Sequence, residues 1–426
     1  MIKQGNRKIT FRDENMENLL LMGIDTRPMV NSALKLDYKT FSISYFKTVD
    51  FKAPYAEKHV LDQESVISCG RFEENYSPDK LLELSKDFLF QNNDEDEIDK
   101  IVLTTGINSK NFSGEYKKFR KIVHGNKNTE SVENKFKFYK KLKNKFNVPL
   151  TFQPSDVGEL NEILQQYSNN QFILKPLQGS GGLGIFLINN ESCDGLKQDN
   201  EIYQNISLEN YILQEYIEGT NISSSVLSSH NERKNLINSR LITEHDLGND
   251  SYEYSGNILP LNENSFRMFN GNQTEINANE INDEMKNTSE DLIKQFNLIG
   301  SNGVDYILDN NGELKIIEIN PRFQGTYELV ENVLGINLLD AHIKACEGEI
   351  IDIPNPSQYS IKRIIYARKQ VSIGNLNIPN VYDIPYEGVK IEKDQPLVTI
   401  ISSSKDLKTA TNNAKIAEEK VYENIK

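Results

Sequence analysis

The chain has 426 residues, enough for several lobes with cores of their own, and its 37% hydrophobic and 26% charged content fits a soluble globular protein. A net charge of −14 and a pI near 5.1 argue against nucleic acid or an anionic membrane as the main partner. A phosphorylated small molecule is not excluded, because it needs only a local cluster of cations. No run reaches the roughly 18 apolar residues of a spanning helix, and the first residues carry no apolar signal segment. Cys69, Cys193 and Cys346 stand far apart without metal-ligand spacing, so they read as reduced thiols and place the protein in the cytoplasm.

After a polar leader, LLLMGIDTRPMVNSALKLDYKTFSISYF predicts a strand over 19–24, a helix over 28–36 begun by Pro28, and a second strand over 40–46. IDKIVLTTGIN, 98–108, reads as a later strand of the same parallel sheet. Arg27 stands just past the first strand, where open α/β sheets bind ligands, and either meets a substrate carboxylate or is a surface arginine. KFKFYKKLKNKF, 135–146, places Phe136, Tyr139, Leu142 and Phe146 at helical spacing, with Lys135 at its start behind Asn134.

Strands dominate from 171. FILKPLQGSGGLGIFLIN contains a literal G-x-G-x-x-G at Gly179, Gly181 and Gly184. A second strand follows instead of a helix, and no Gly-Lys-Ser/Thr ends the loop, so it is neither a dinucleotide fingerprint nor a Walker loop. A glycine hairpin of this kind folds over phosphates and offers them backbone N–H groups, with Lys175 four residues upstream. The plainer alternative is a mobile hairpin. YILQEYI, SSSVLSS and SRLIT continue as strands, and a helix is predicted around 285–297.

GVDYILDNNGELKIIEIN holds Asn311-Gly312 between two apolar runs, a strong hairpin signal. With those two residues as the turn, Asn310 faces Glu313, and Asp305 falls directly opposite Glu318. Like charges facing each other across strands are destabilising, so the arrangement calls for a divalent cation between them. Two carboxylates and the amide oxygen of Asn320 form an all-oxygen set that suits magnesium or manganese. The alternative is a pair of acids on a wet hairpin face. A helix over 338–348 ending at Gly348, a strand in SIKRIIYARKQV and a charged helix over 405–424 complete the chain.

In order and spacing these pieces resemble the ATP-grasp family, over roughly residues 15–350. The resemblance implies an α/β chain in which 1–126 is an open α/β domain, 127–355 a two-lobed ATP-grasp domain with a lid at about 171–217, and 356–426 a small closing lobe similar to that of biotin carboxylases. It implies that Lys135 and Lys175 contact nucleotide phosphates under a lid running from Gln178 through Gly179, Ser180, Gly181 and Gly182 to Gly184. LQEYIEG resembles the hinge, giving Glu215, Tyr216, Ile217 and Glu218 to the nucleotide, with Glu215 and Ile217 facing adenine. Asp305, Glu318 and Asn320 resemble the family's site for two magnesium (or manganese) ions, and Arg322 a residue that steadies an acyl phosphate. Arg240 on a lid strand, and Tyr254 with Gly256 in YEYSGNILP, are further candidates. The sequence departs from the family at Asn221, where many members carry a ribose-binding glutamate; Glu218 is the substitute at hand.

The expected activity is ATP-dependent joining of a small carboxylate to an amine with release of ADP and phosphate, resembling tyramine–glutamate ligase at a distance and fitting coenzyme biosynthesis. The alternatives are a bicarbonate-activating carboxylase and a nucleotide sensor without catalysis. The expected partners are small molecules only, with a homodimer left open.

Overall fold

The computed structural model of the chain describes residues 16–61, 76–91, 96–179, 181–188, 207–270 and 277–426. Ser180, Cys69 and Cys193 lie outside the described residues. No helix among the described residues is long and apolar enough to cross a membrane.

The first sheet is parallel throughout, as the sequence predicts. It comprises β1 (Asn18–Gly23), β2 (Lys39–Phe46), β3 (Ala56–Leu61), β4 (Lys100–Leu103) and β5 (Val123–His124), in the order β3-β2-β1-β4-β5. β1 is the central strand and is buried at every position, which is why it reads LLLMG without polar alternation. Helix α1 (Arg27–Ala33) starts one residue before the expected proline and stops sooner than predicted, and α2 (Pro78–Leu89) is capped by Ser77.

Helix α3 (Lys135–Leu142) begins where Asn134 accepts the Lys137 N–H (2.9 Å), so an N-cap fixes the position of Lys135. A four-stranded antiparallel sheet follows. Its strands are β6 (Thr151–Phe152), β7 (Phe172–Pro176), β8 (Phe186–Ile188) and β9 (Tyr211–Glu215), in the order β6-β9-β7-β8. Helix α4 (Val157–Gln166) packs Leu160, Ile163 and Leu164 onto it.

The largest sheet has eight strands, every neighbouring pair antiparallel. It contains β10 (Gly219–Ser228), β11 (Arg233–Thr243), β12 (Tyr254–Leu259), β13 (Gly300–Asp309), β14 (Leu314–Asn320), β15 (Tyr359–Tyr366), β17 (Val381–Tyr382) and β19 (Pro396–Ser404), while β16 (Val371–Ser372) and β18 (Lys390–Ile391) form a separate ribbon. Its order, β14-β13-β10-β11-β12-β15-β19-β17, continues the central sheet into the C-terminal strands. Helix α5 (Ala278–Gln295) covers one face. It starts well before the predicted 285, because Asn277 caps a polar first turn that carries little apolar pattern. Helix α6 (Tyr327–Leu334) packs on β12, β15 and β19 of the large sheet, α7 (Leu338–Glu347) lies between β10 and β13 on one side and β5 and α1 on the other, and α8 (Leu407–Glu423) packs against β15 and β19.

Arg27 is neither a surface residue nor a free substrate ligand. It is 1% exposed, its guanidinium meets both Glu328 oxygens at 2.9 Å and Asp383 at 2.5 Å, and Asp50 lies 3.4 Å away. These acids come from three distant segments, so one buried cation ties α1 to α6 and to the C-terminal strands. Removing one partner of such a network leaves desolvated charges behind, at about 3–5 kcal/mol. Arg27→Met is therefore expected to lose about 3 kcal/mol in urea unfolding; a loss below about 1 kcal/mol would contradict the tie.

Candidate active site

The β13–β14 hairpin sets the site. Its turn is not the predicted two-residue Asn311-Gly312. Asp309 pairs with Glu313 (N–H to O, 3.0 Å), Gly312 donates to Asp309 O (3.0 Å), and Gly312 takes φ +84°, which makes a three-residue turn. The Asp309 carboxylate selects this turn by accepting the Asn311 and Glu313 N–H groups at 2.9 and 2.8 Å.

Near the turn the register is consequently one residue away from the expected one, with Tyr306 opposite Ile316. A bulge at Ile317 then restores it. Beyond the bulge Asp305 stands opposite Glu318 and Gly303 opposite Asn320. The predicted acid pair is therefore met by two irregularities that cancel, and the extra residue, Ile317, is turned into the cleft wall.

The side chains confirm a shared focus. Asp305 accepts Ser223 Oγ at 2.5 Å and Asn320 Nδ2 at 2.8 Å. Asn320 Nδ2 also reaches Glu318 Oε1 at 3.4 Å, and Lys135 Nζ stands 3.5 Å from Glu318 Oε2. Lys135 Nζ additionally donates to Gly179 O (2.9 Å), so one lysine links the acid pair to the glycine loop. Lys175, on β7 and 3% exposed, lines the same cleft of about 350 Å³ together with Arg322, Gly179, Gly181 and Gly182.

Burial and the facing Glu318 push the Asp305 carboxyl up to about 7. Burial disfavours the charged form of Glu318 too, but Lys135, Lys175 and Arg322 outweigh it and hold that carboxyl below its usual range. Burial, with Lys135 close by, pushes the Lys175 ammonium down to about 7 against the pull of Glu318.

The glycine loop is docked. Tyr254 N–H donates to Gly181 O (2.9 Å), and Gly182 takes φ +78° with a Cβ position only 2.0 Å from Tyr252 O, so no side chain fits there. Gly303 is needed for another reason: a Cβ would fall 1.8 Å from Gln324 Cδ. Gln324 donates to Ser223 Oγ and accepts from Ser225 Oγ, both at 3.0 Å, and so holds the serine that orients Asp305. Neither Ser223 nor Gln324 is among the residues expected from sequence. Their signals are three consecutive serines in a buried strand and a glutamine two places past Arg322.

The other expected residues are dispersed. Glu215 is held by the Leu150 N–H (3.1 Å) and Asn170 Nδ2 (2.9 Å); β9 ends there, and Tyr216, Ile217 and Glu218 lie on its connection to β10, outside the walls of the cleft that holds both lysines. Gln178 is exposed at the loop's start. Asn221 lines the cleft, at the place where the sequence departs from the family. Arg240 is on β11 of the large sheet rather than on a lid strand; its guanidinium is fully buried on Asn221 O (2.6 Å), Leu241 O (2.7 Å) and Asp246 (2.7 Å), so it acts as a brace. Tyr254 lines the cleft and donates to Asn257 Oδ1, whereas Gly256 serves close packing, with a Cβ position 1.9 Å from Lys362 O on β15.

Among the described residues no three His, Cys, Asp or Glu side chains form a group that could hold a metal ion. The donor set is thus two carboxylates and an amide, too few to enclose a cation. It fits a hard divalent ion that completes its shell with water and phosphate oxygens.

Comparison with known proteins identifies the fold and the family. Residues 132–326 match the model of the ATP-grasp domain family. Uncharacterized protein MJ0776 of Methanocaldococcus jannaschii is 32% identical over 402 residues, which cover 92% of this chain and 90% of that protein. The biotin carboxylase domain of Hydrogenobacter thermophilus 2-oxoglutarate carboxylase, solved with MgADP, ADP and bicarbonate, superposes with a TM-score of 0.70 at 16% identity, over 95% of this chain and 90% of that one. The Thermotoga maritima N5-carboxyaminoimidazole ribonucleotide synthetase does so at 0.63 and 14%, over 96% and 99%. The fold and site define a two-carboxylate, two-lysine cleft under a glycine loop, and the chain belongs to the ATP-grasp family.

Because the folded-state value of Asp305 is raised, the folded protein keeps this proton from the ordinary carboxylate range up to about 7, and stability falls as pH rises through that window. Asp305→Asn removes the repulsion. The variant is expected to unfold about 1 kcal/mol later than the wild type at about pH 8, with the gap narrowing toward about pH 5. Equal or lower stability of the variant at the higher pH would count against a strained acid pair.

Proposed function

We propose that the protein is an ATP- and magnesium-dependent ligase that activates a small-molecule carboxylate and joins it to an amine. The observation that carries this reading is the facing pair Asp305 and Glu318 in one cleft with Lys135, Lys175 and Arg322. Two acids and three cations around a space of this size match the charges of a metal-bound polyphosphate and of a second anion beside it.

Asp305, Glu318 and Asn320 would hold the magnesium, which supplies charge neutralisation at the phosphate oxygens when bound. Lys135 and Lys175 would face the phosphates. Lys175 is the more responsive of the two, because an anion beside it restores the charge that burial suppresses. Backbone N–H groups of the glycine loop would close over the same oxygens.

The carboxylate oxygen of the substrate attacks the γ-phosphorus, the bond to the β-phosphate bridge oxygen breaks, and an acyl phosphate and ADP result. The amine nitrogen then attacks the acyl carbon, phosphate leaves with its bonding pair, and the amine proton passes to solvent, giving the amide. Arg322 would pair first with the carboxylate and then with the acyl phosphate. Positioning and charge neutralisation carry such a transfer, so no side-chain nucleophile is required.

A screen of purified protein with MgATP against panels of carboxylates and amines is expected to show ADP release that needs both co-substrates. ADP release with bicarbonate alone would instead support a carboxylase, and nucleotide binding without turnover across the panel would support a sensor. In the active combination, Glu318→Gln is expected to lower turnover about a hundredfold or more while leaving the unfolding midpoint near that of the wild type; near-wild-type rates would refute the assignment.

A further inference from the structure

Behind the cleft lies a second cavity. Strand alternation sends Leu241, Thr243 and Asn257 toward the cleft, and Ile242, Glu244 and Ile258 to the opposite face of the same sheet. Helix α8 and the loop 244–253 close over that face and leave about 940 Å³ among the described residues. This volume is within the range of small-molecule sites, which run from about 300 to 1,000 Å³.

The floor of the cavity is apolar: Ile242, Ile258 and Ile361 form a buried cluster against which Met268 packs. The rim is charged, yet most of its groups are already engaged. Glu244 accepts Asn249 Nδ2 at 2.6 Å and Ser255 Oγ at 2.5 Å, Lys393 and Asp394 pair at 3.6 Å, and Arg368 lies over the Tyr422 ring at 4.6 Å. Arg363, on β15, is among those that are not engaged. Its guanidinium makes no hydrogen bond or ion pair with any described residue, and its Nε is sealed from solvent without a partner. A desolvated donor of this kind is costly unless something accepts from it.

We propose that this cavity is a second small-molecule site, distinct from the catalytic cleft, for an amphipathic anion. The carboxylate, sulfonate or phosphate group sits on Arg363, and the apolar body lies on Ile242, Ile258 and Ile361. The wall formed by Glu244, Asp250 and Glu253 runs directly into Tyr252 and Tyr254, which dock the glycine loop, so only the thickness of the sheet separates the two sites.

The fluorescent anion anilinonaphthalenesulfonate is a suitable probe, having one sulfonate and an apolar ring system. Titrated into the full-length protein, it is expected to bind saturably. Arg363→Met is expected to weaken it about tenfold, by removing a charge-assisted contact. Thr411→Phe, which narrows the cavity from α8 without touching a charge, is expected to weaken it to a similar degree. Lys175→Met, which alters only the catalytic cleft, is expected to leave the affinity within about twofold. Non-saturable binding, an unchanged affinity in both cavity variants, or a loss confined to Lys175→Met would overturn the proposal.

Discussion

Two carboxylates held opposite each other across a strand pair, Asp305 and Glu318, are the constraint on which the rest of the site depends. By themselves they repel, and burial penalises the charge on each. The chain does not relieve this by separating them. It surrounds them with Lys135 from the start of a capped helix, Lys175 from β7 and Arg322 from the segment after β14, and it locks Asp305 in place through Ser223 and Gln324. In the proposed function the acids take a cation, and the lysines the anion that comes with it.

Much of the remaining architecture keeps those segments in register. Asn126, in the link between the first sheet and α3, donates to Asn302 Oδ1 (2.7 Å) and to Pro321 O (2.9 Å) and accepts the Ile299 N–H (2.8 Å). It thus pins the backbone beside Arg322 to the strand that carries Asp305. Arg27 does comparable work at larger scale by joining the first sheet, α6 and the C-terminal strands through buried ion pairs. Gly182 and Tyr252 fit the glycine loop to the large sheet backbone to backbone. Each of these contacts is remote from the acid pair, and each limits how far the cations can move from it.

How much of this was legible in the sequence depends on how local the determinant is. The parallel opening unit, the capped start of α3, the strand–loop–strand around the glycines and the pairing of Asp305 with Glu318 all follow from short patterns. The pairing survived an incorrect turn only because the bulge at Ile317 offset the three-residue loop; nothing in the residues 310–317 announces that bulge. Arg27 shows the opposite case. Its partners Asp50, Glu328 and Asp383 are far apart in the chain, and a single sequence cannot show that they converge. Arg240 lies between, since Asp246, six residues on, is near enough to have suggested a brace. The expectation that Glu215 and Ile217 face adenine rests on the resemblance of LQEYIEG to the family's hinge, and strand patterning adds little to it. The strand stops at Glu215, whose carboxylate is taken up by Leu150 and Asn170.

The central claim is that the two facing acids grip a divalent cation that carries the phosphate tail of a nucleotide. Crystals grown with manganese and ADP test it most directly, because manganese can be located by its anomalous scattering. An anomalous peak is expected about 2.2 Å from oxygens of both Asp305 and Glu318, with ADP phosphates between that ion and Lys175. An ion bound elsewhere, or ADP seated away from Lys175 with the acid pair still free of metal, would contradict it.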